Sequence, residues 1–172
     1  MKTYAKLLPD QDYLKEILSY NPETGEFHWK TPPGLKIKAG AVAGQVKDNG
    51  YHAITIQGKV YKSHRLAWKI QYNEDPPDHI DHVNGSKLDN RIENLRKATP
   101  SQNQYNKRMP RLPKSGVKGV CWHKAVKKWR AQIATERRVI HLGYFTEISE
   151  AADARAAAVL IYHGGFMSSP EI

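Results

Sequence analysis

Apolar positions recur along the chain in two rhythms, and each rhythm predicts an element. Pro9-Asp10 opens a stretch in which Leu14, Ile17 and Leu18 fall on one helical face and Lys15 and Glu16 on the other, so a short amphipathic helix is expected. Asn21-Pro22-Glu23-Thr24-Gly25 is turn chemistry that ends it. Glu26 to Lys30 alternates apolar and polar and predicts a strand. Thr31 to Gly50, rich in Pro, Gly and Lys, predicts loop with one short strand around Ala41–Val46. Tyr51 to Lys62 reads as a hairpin with Ile54 and Ile56 on one face and Gly58-Lys59 near the turn. Ser63 is the expected N-cap of a helix over His64–Ile70 with Leu66, Ala67 and Ile70 inward, stopped by Asp75-Pro76-Pro77.

The middle of the chain is short and polar. His79 to His82 predicts a strand running into the turn Asn84-Gly85. Leu88–Glu93 is a loop or short helical turn, and Asn94–Ala98 a second strand. Thr99, Pro100 and Gln102 then supply an N-cap, an N1 proline and an N3 glutamine, a reciprocal capping box that places Asn103 in the first turn of a closing helix. Lys107 to Ser115 contains two prolines and four cations and predicts an extended tether. Beyond it, Val117–His123, Trp129–Thr135 and Arg138–Phe145 read as strands. The alanine-rich run Glu147–His163 reads as a helix stopped by Gly164-Gly165. The resulting expectation is an α+β chain: a first domain over residues 1–106, a basic linker over 107–115, and a three-stranded antiparallel sheet packed on one helix over 116–172.

Charge changes this picture more than bulk composition does. Residues 1–106 carry 15 Lys and Arg against 12 Asp and Glu. Residues 107–141 carry 11 against 1, and residues 142–172 carry 1 against 4. The whole net excess of +10 therefore equals that of one 35-residue block, the footprint of a nucleic-acid binder. Hydrophobic content of 40% supports a modest core, and no apolar run approaches the ~20 residues that span a bilayer. With no secretory core at the start, the expectation is a soluble, cytoplasmic protein, nucleoid-associated in a bacterial or phage-infected cell. The single cysteine, Cys121, excludes an internal disulfide and a multi-cysteine zinc ribbon, and its apolar run assigns it a packing role. Trp122 and Trp129 are expected in the core. His28, His52 and His79 read as structural, while His64 reads either as structural or as a phosphate contact.

Hydrolysing a phosphodiester requires a base for water and a counter-charge for the leaving oxygen. Asp81, His82 and Asn103 offer one carboxylate, one imidazole and one amide oxygen, and hard divalent cations take oxygen donors of this kind. Adjacent strand residues point to opposite faces, so Asp81 and His82 can share a site only where the strand bends.

The pattern Asp81-His82, Asn84-Gly85, Asn90, Asn94-Leu95-Arg96, Thr99, Asn103 and Asn106 resembles the HNH endonucleases, particularly phage-type homing enzymes with an Asp-His pair and a terminal asparagine. The upstream signals Asn21–Gly25 and His64–Trp68 extend the resemblance over residues 10–106. It implies a ββα-metal (HNH, His-Me finger) nuclease domain in which His82 is the general base. It further implies that Asp81 and Asn103 bind Mg²⁺ or Mn²⁺, and that Asn94 braces the two strands. Asn103 stands where the family commonly has histidine; an amide oxygen suits Mg²⁺ or Mn²⁺ and is a poor zinc ligand.

The C-terminal series Lys118-Gly119-Val120, Lys128 to Ile133 and His141 to Phe145, with the alanine-rich helix, looks like the DNA-binding domain of plant ethylene-response factors (Apetala-two type). That resemblance implies a sheet laid in the major groove. Alternation puts Trp129, Ala131 and Ile133 toward the helix and Arg130, Gln132 and Ala134 outward, with Lys118, His123 and His141 on the outer face. Arg and Gln can read guanine and adenine. Cys121, His123 and Ala134 replace arginines of the plant version. Lys107, Arg108, Arg111 and Lys114 are expected to follow the DNA backbone, and Lys128 and Arg138 to add to the binding face.

Together these readings predict a homing-type endonuclease that nicks one strand of double-stranded DNA as a monomer, a dimer being needed to cut both strands at once. The alternatives are a non-catalytic DNA-binding transcriptional regulator and an RNA-directed nuclease.

Overall fold

A computed structural model describes residues 7–106 (side chains to 103), 113–135 and 138–164. Two compact units divide the chain, Met1–Ala98 and Thr99–Ile172. The division falls ahead of the 107–115 stretch, of which 107–112 lie outside the described residues.

In the first unit, α1 (Gln11–Ile17) buries Leu14 and Ile17 and runs directly into β1 (Leu18–Tyr20). That strand pairs antiparallel with β2 (Phe27–Trp29) in the register Leu18↔Trp29. The Asn21 side chain accepts hydrogen bonds from the backbone amides of Glu23 and Thr24, which shapes the intervening turn. The stretch expected as mostly loop contributes β3 (Gln45–Val46), a two-residue strand beside β4 (His52–Ile56). β4 returns as β5 (Lys59–Lys62) through a tight turn in which Gln57 and Gly58 both have positive φ.

The next helix, α2 (Ser63–Tyr72), corrects the expected cap. Its N-cap position is Lys62, and Ser63 is its first helical residue, fully buried. The Ser63 hydroxyl is engaged 2.7 Å from His52 Nδ1 across the hairpin instead of capping the helix. The helix ends at Asn73, whose left-handed conformation closes it before the prolines are reached. Leu66, Ala67 and Trp68 are buried with Leu14, Leu18, Phe27, Ile54 and Leu95 in one core. Burying each large side chain of this set contributes about 1.5–3 kcal/mol before entropy is charged against it.

β6 (Ile80–His82) then pairs antiparallel with β7 (Leu95–Lys97), with a 3₁₀ turn at Ile92–Asn94 between them.

The second unit begins with α3 (Pro100–Asn106). Its capping box is present: Thr99 N donates to Gln102 Oε1 at 2.7 Å, and Gln102 N to Thr99 Oγ1 at 3.2 Å. β8 (Val120–His123), β9 (Lys128–Ala134) and β10 (Val139–Phe145) form an antiparallel sheet in the order β10-β9-β8. The helix α4 (Ile148–His163) lies against it, opened by a second capping box between Glu147 and Glu150. Val120, Ala131 and Ala151 form the buried centre, with Val117, Trp129, Leu142, Phe145 and Ile148 packed around it.

One expectation for this unit is corrected. Trp122 is 47% exposed. Its register partner is Trp129, and the two rings meet edge to face at 5.3 Å, but only Trp129 packs on the core. Lys118 is half-buried near Arg155 and, with Gly119, Gln132, Ala134, Arg155 and His163, lines a cavity of about 220 Å³.

Candidate active site

The connection between β6 and β7 is held by its own polar side chains. Buried Asn94 accepts a hydrogen bond from Asn84 N at 2.9 Å and donates to Asp89 O at 2.8 Å, tying its own end of the intervening loop to the loop's start and middle. Its backbone carbonyl accepts Val83 N at 2.9 Å. Asp89 in turn receives Asn84 Nδ2 at 2.7 Å and two bonds from the Arg91 guanidinium. Arg91's hydrogen bonds are the largest cause holding the Asp89 carboxyl down to about 2.

The turn at 21–25 fixes this loop from outside. Ile92 N donates to Pro22 O, and Tyr20 Oη donates to Asn90 O at 2.8 Å. Gly25 has φ +76°, and a Cβ there would stand 2.6 Å from Arg91 N and from the carbonyl carbon of Asn90. Only glycine lets the two backbones approach so closely. The upstream turn thereby sets the position of Asn90.

Asn90 matters because it faces His82. Both are buried, and His82 Nε2 lies 3.5 Å from Asn90 Oδ1, a long contact. The Asn90 amide nitrogen donates to Leu88 O at 3.2 Å, which points its oxygen at the imidazole. Burial pushes His82 below the ordinary histidine range, while the Asn90 hydrogen bond and the charges of Asp81 and Asp89 pull it back up. A neutral imidazole at neutral pH can accept a proton.

The chain bends at His82, where Gly85 N donates to His82 O at 2.8 Å. Asp81 and His82 take different neighbours, as adjacent strand residues do. Asp81 Oδ2 is gripped by Arg96 through Nε at 2.9 Å and Nη2 at 2.8 Å, Arg96 being its register partner on β7. His82 instead meets the His64 ring edge-on at 5.2 Å and the Tyr51 ring at 6.2 Å.

Arg96, His64, Tyr51 and Asn90 are thus neighbours of the pair; Asn90 and Arg96 stood in the motif without a stated role, His64 was read as structural or as a phosphate contact, and Tyr51 carried no signal. For Arg96 the signal was its place two residues beyond Asn94. For His64 it was its place at the start of α2, which the buried, edge-on packing against His82 now explains. Burial, followed by the charge of His82, holds His64 down to about 3, and its Nδ1 has no hydrogen-bond partner.

Asn103 stands on α3, half-buried, its backbone N–H donating to Thr99 O at 3.0 Å. Among the described residues no three His, Cys, Asp or Glu side chains converge as a metal cluster. On the sheet of the second unit, His123 and His141 each pack edge-on against Tyr144, at 5.2 and 4.6 Å. Arg130 Nη2 reaches Cys121 Sγ at 3.5 Å. Lys114, Lys128 and Arg138 are exposed and Gln132 is half-buried. Lys107, Arg108 and Arg111 lie outside the described residues, as does the Asn106 side chain.

Comparison with known proteins finds similarity over the segment that carries these residues. Residues 61–105, which span α2 through most of α3, match the family model described as HNH endonuclease. Protein 3.8 of Escherichia phage T7 is 33% identical over 79 residues, 45% of this chain. The matched stretch spans 65% of that relative's length. No solved structure matches the chain. No helix among the described residues is long and apolar enough to cross a membrane.

Proposed function

We propose that this chain is a divalent-metal-dependent DNA endonuclease. The observation that carries the reading is His82, buried, depressed in basicity and oriented by Asn90, beside Asp81 within the segment that resembles HNH endonucleases. With Nε2–H donated to Asn90, Nδ1 is the nitrogen that takes the proton of the attacking water. Asp81 and Asn103 would hold the metal, since a carboxylate and an amide are the hard oxygen donors that Mg²⁺ and Mn²⁺ accept. Bound there, the cation supplies positive charge to the phosphate and the departing oxygen. Arg96 keeps the Asp81 carboxylate oriented, and Asn94 keeps the loop between the strands closed around the site.

The finer reading is a homing-type enzyme that nicks one strand. Residues 1–106 would cut, and the sheet of residues 116–172 would select the site. On that sheet Arg130 and Gln132 would read bases, with Lys118, His123, Lys128, Arg138 and His141 alongside. The tether cations Lys107, Arg108, Arg111 and Lys114 would follow the backbone.

One observation favours a rival. The Asp81–Arg96 pair is the contact expected if the carboxylate serves only to hold β6 to β7, in which case the chain is a DNA-binding regulator on a nuclease-like scaffold. A metal-titrated assay on supercoiled plasmid separates them. The nuclease converts plasmid to the nicked form only with Mg²⁺ or Mn²⁺, whereas a regulator retards the band without cutting.

A further inference from the structure

Beside His82, on the opposite side of the sequence from Asp81's partner Arg96, two lysines converge on one ring. Lys62, at the end of β5, places Nζ 4.3 Å from the centre of the Tyr51 ring. Lys87, in the loop after β6, places Nζ 4.8 Å from the same centre. The Tyr51 ring itself packs 5.4 Å from His64 and 6.2 Å from His82. Lys87 is held there, its Nζ donating to Asn49 O at 3.1 Å and its stem running 3.7 Å from a Cβ built on Gly50. The 47–50 turn that carries these contacts is closed by Lys47 N to Tyr51 O and by Tyr51 N to Asn49 Oδ1.

Two ammonium groups over one tyrosine repel each other, and a single ring quadrupole is a weak counterweight to both. Among the described residues neither lysine forms an ion pair, although Lys69, Arg91, Arg96 and Lys97 all do. Burial, then Arg65, then Lys87 itself, lowers the Lys62 ammonium from its ordinary value, as expected where cations crowd without an anion. Both side chains remain exposed, so an incoming group can reach them.

We propose that Lys62, Lys87 and Tyr51 form a seat for one backbone phosphate of the nucleic-acid substrate, next to the bond cleaved by the water that His82 activates. The seat rests on the endonuclease reading for its substrate. It adds DNA contacts inside residues 1–98, where charge along the sequence assigned the binding to residues 107–141 alone. The phosphate oxygens would replace the missing counter-ion for both lysines, and Tyr51 would supply the flat floor and a hydroxyl donor.

The test uses the full chain and a K62Q/K87Q double variant, with glutamine keeping most of the stem. Binding to a duplex is followed by fluorescence anisotropy across a salt series, and nicking is measured alongside. Losing one phosphate contact should lower the slope of log affinity against log salt by about 0.9. Affinity at moderate salt should drop severalfold, with a larger effect on KM than on kcat, and K62R/K87R should restore the slope. An unchanged slope and affinity in a folded double variant, while the wild type still cuts, overturns the seat and leaves the nuclease reading intact. A slope that drops as expected in a wild-type background that binds but never cuts supports the seat and overturns the nuclease reading instead. A seat for free phosphate would leave the DNA slope unchanged and show phosphate-dependent thermal stabilisation only in the wild type, which also overturns the proposal.

Discussion

Among the described residues, Ser63, His64, Asp81, His82, Asn90 and Asn94 are the buried polar side chains of residues 1–98, and Arg155 and His163 those of residues 99–172. Net charge runs the other way, at +3 for the first unit and +7 for the second. The first unit has a broad apolar core around Phe27, Leu14 and Leu66; the buried centre of the second is Val120, Ala131 and Ala151. The contrast teaches what each kind of chemistry needs. A base must be desolvated and oriented, which requires a core large enough to bury a polar network. A DNA-binding face needs exposed cations, which a small core can support.

The contrast between the two units should show most strongly at Asp81. On the proposed function, Asp81→Ala removes a metal ligand and should slow plasmid nicking by roughly a thousandfold, the several kcal/mol that a metal supplies. Retention of DNA in a gel shift should change little. Loss of retention with cutting intact would reverse the roles assigned to the two units.

Tryptophan gives a second contrast. Trp68 is 5% exposed in the first core and Trp122 is 47% exposed in the second unit. Trp68→Ala should cost about 3–5 kcal/mol in urea unfolding. Trp122→Ala, losing mainly its edge contact with Trp129, should cost about 0.5–1.5 kcal/mol. Equal costs would show that the second unit's core extends to Trp122.

Selectivity comes next. An Arg130→Ala, Gln132→Ala double variant should lose about tenfold to a hundredfold in discrimination between duplexes, from the 1–3 kcal/mol of a bidentate base contact. Its nicking rate at saturating DNA should hold. Unchanged discrimination in a competition assay would move base reading elsewhere.

The smallest effect is in pH. Unfolded, His64 takes its proton near 6.5; folded, only near 3. Its contribution to stability is therefore fully present above pH 6.5 and is lost as pH falls toward 3, at up to about 1.4 kcal/mol per pH unit. Urea midpoints at pH 7.5, 6.5 and 5.5 should show this decline, flattened in His64→Gln. A wild-type midpoint that does not move would contradict the buried, neutral imidazole. Because His82 is also depressed, the acid limb of kcat/KM should lie below the ordinary histidine value.

Local rules reached far along this chain. The hairpin over 51–62, the strand pair flanking 83–94, the capping box at Thr99 and the sheet-and-helix order after Val117 were all legible, because periodicity and turn chemistry act within a few residues. What stayed hidden depends on contacts between distant segments. Ser63 looked like a cap until His52 claimed its hydroxyl across the hairpin. The Asp81–Arg96 pair follows from the β6–β7 register, which the irregular loop between them conceals. His64 meets His82 only because the start of α2 and the end of β6, far apart in sequence, come together, and Lys62 and Lys87 meet over Tyr51 for the same kind of reason. Trp122 misled because alternation gives its face of the sheet but not where the covering helix stops.

The proposed division of labour is that His82 promotes cutting and the basic C-terminal residues hold the DNA. It is tested most directly by His82→Ala in a Mg²⁺-supported plasmid-nicking assay, with duplex binding measured on the same preparation. Nicking should fall by about a hundredfold to ten-thousandfold, the usual worth of a general base, with affinity changed by less than threefold. His82→Ala protein that nicks plasmid at the wild-type rate would contradict it.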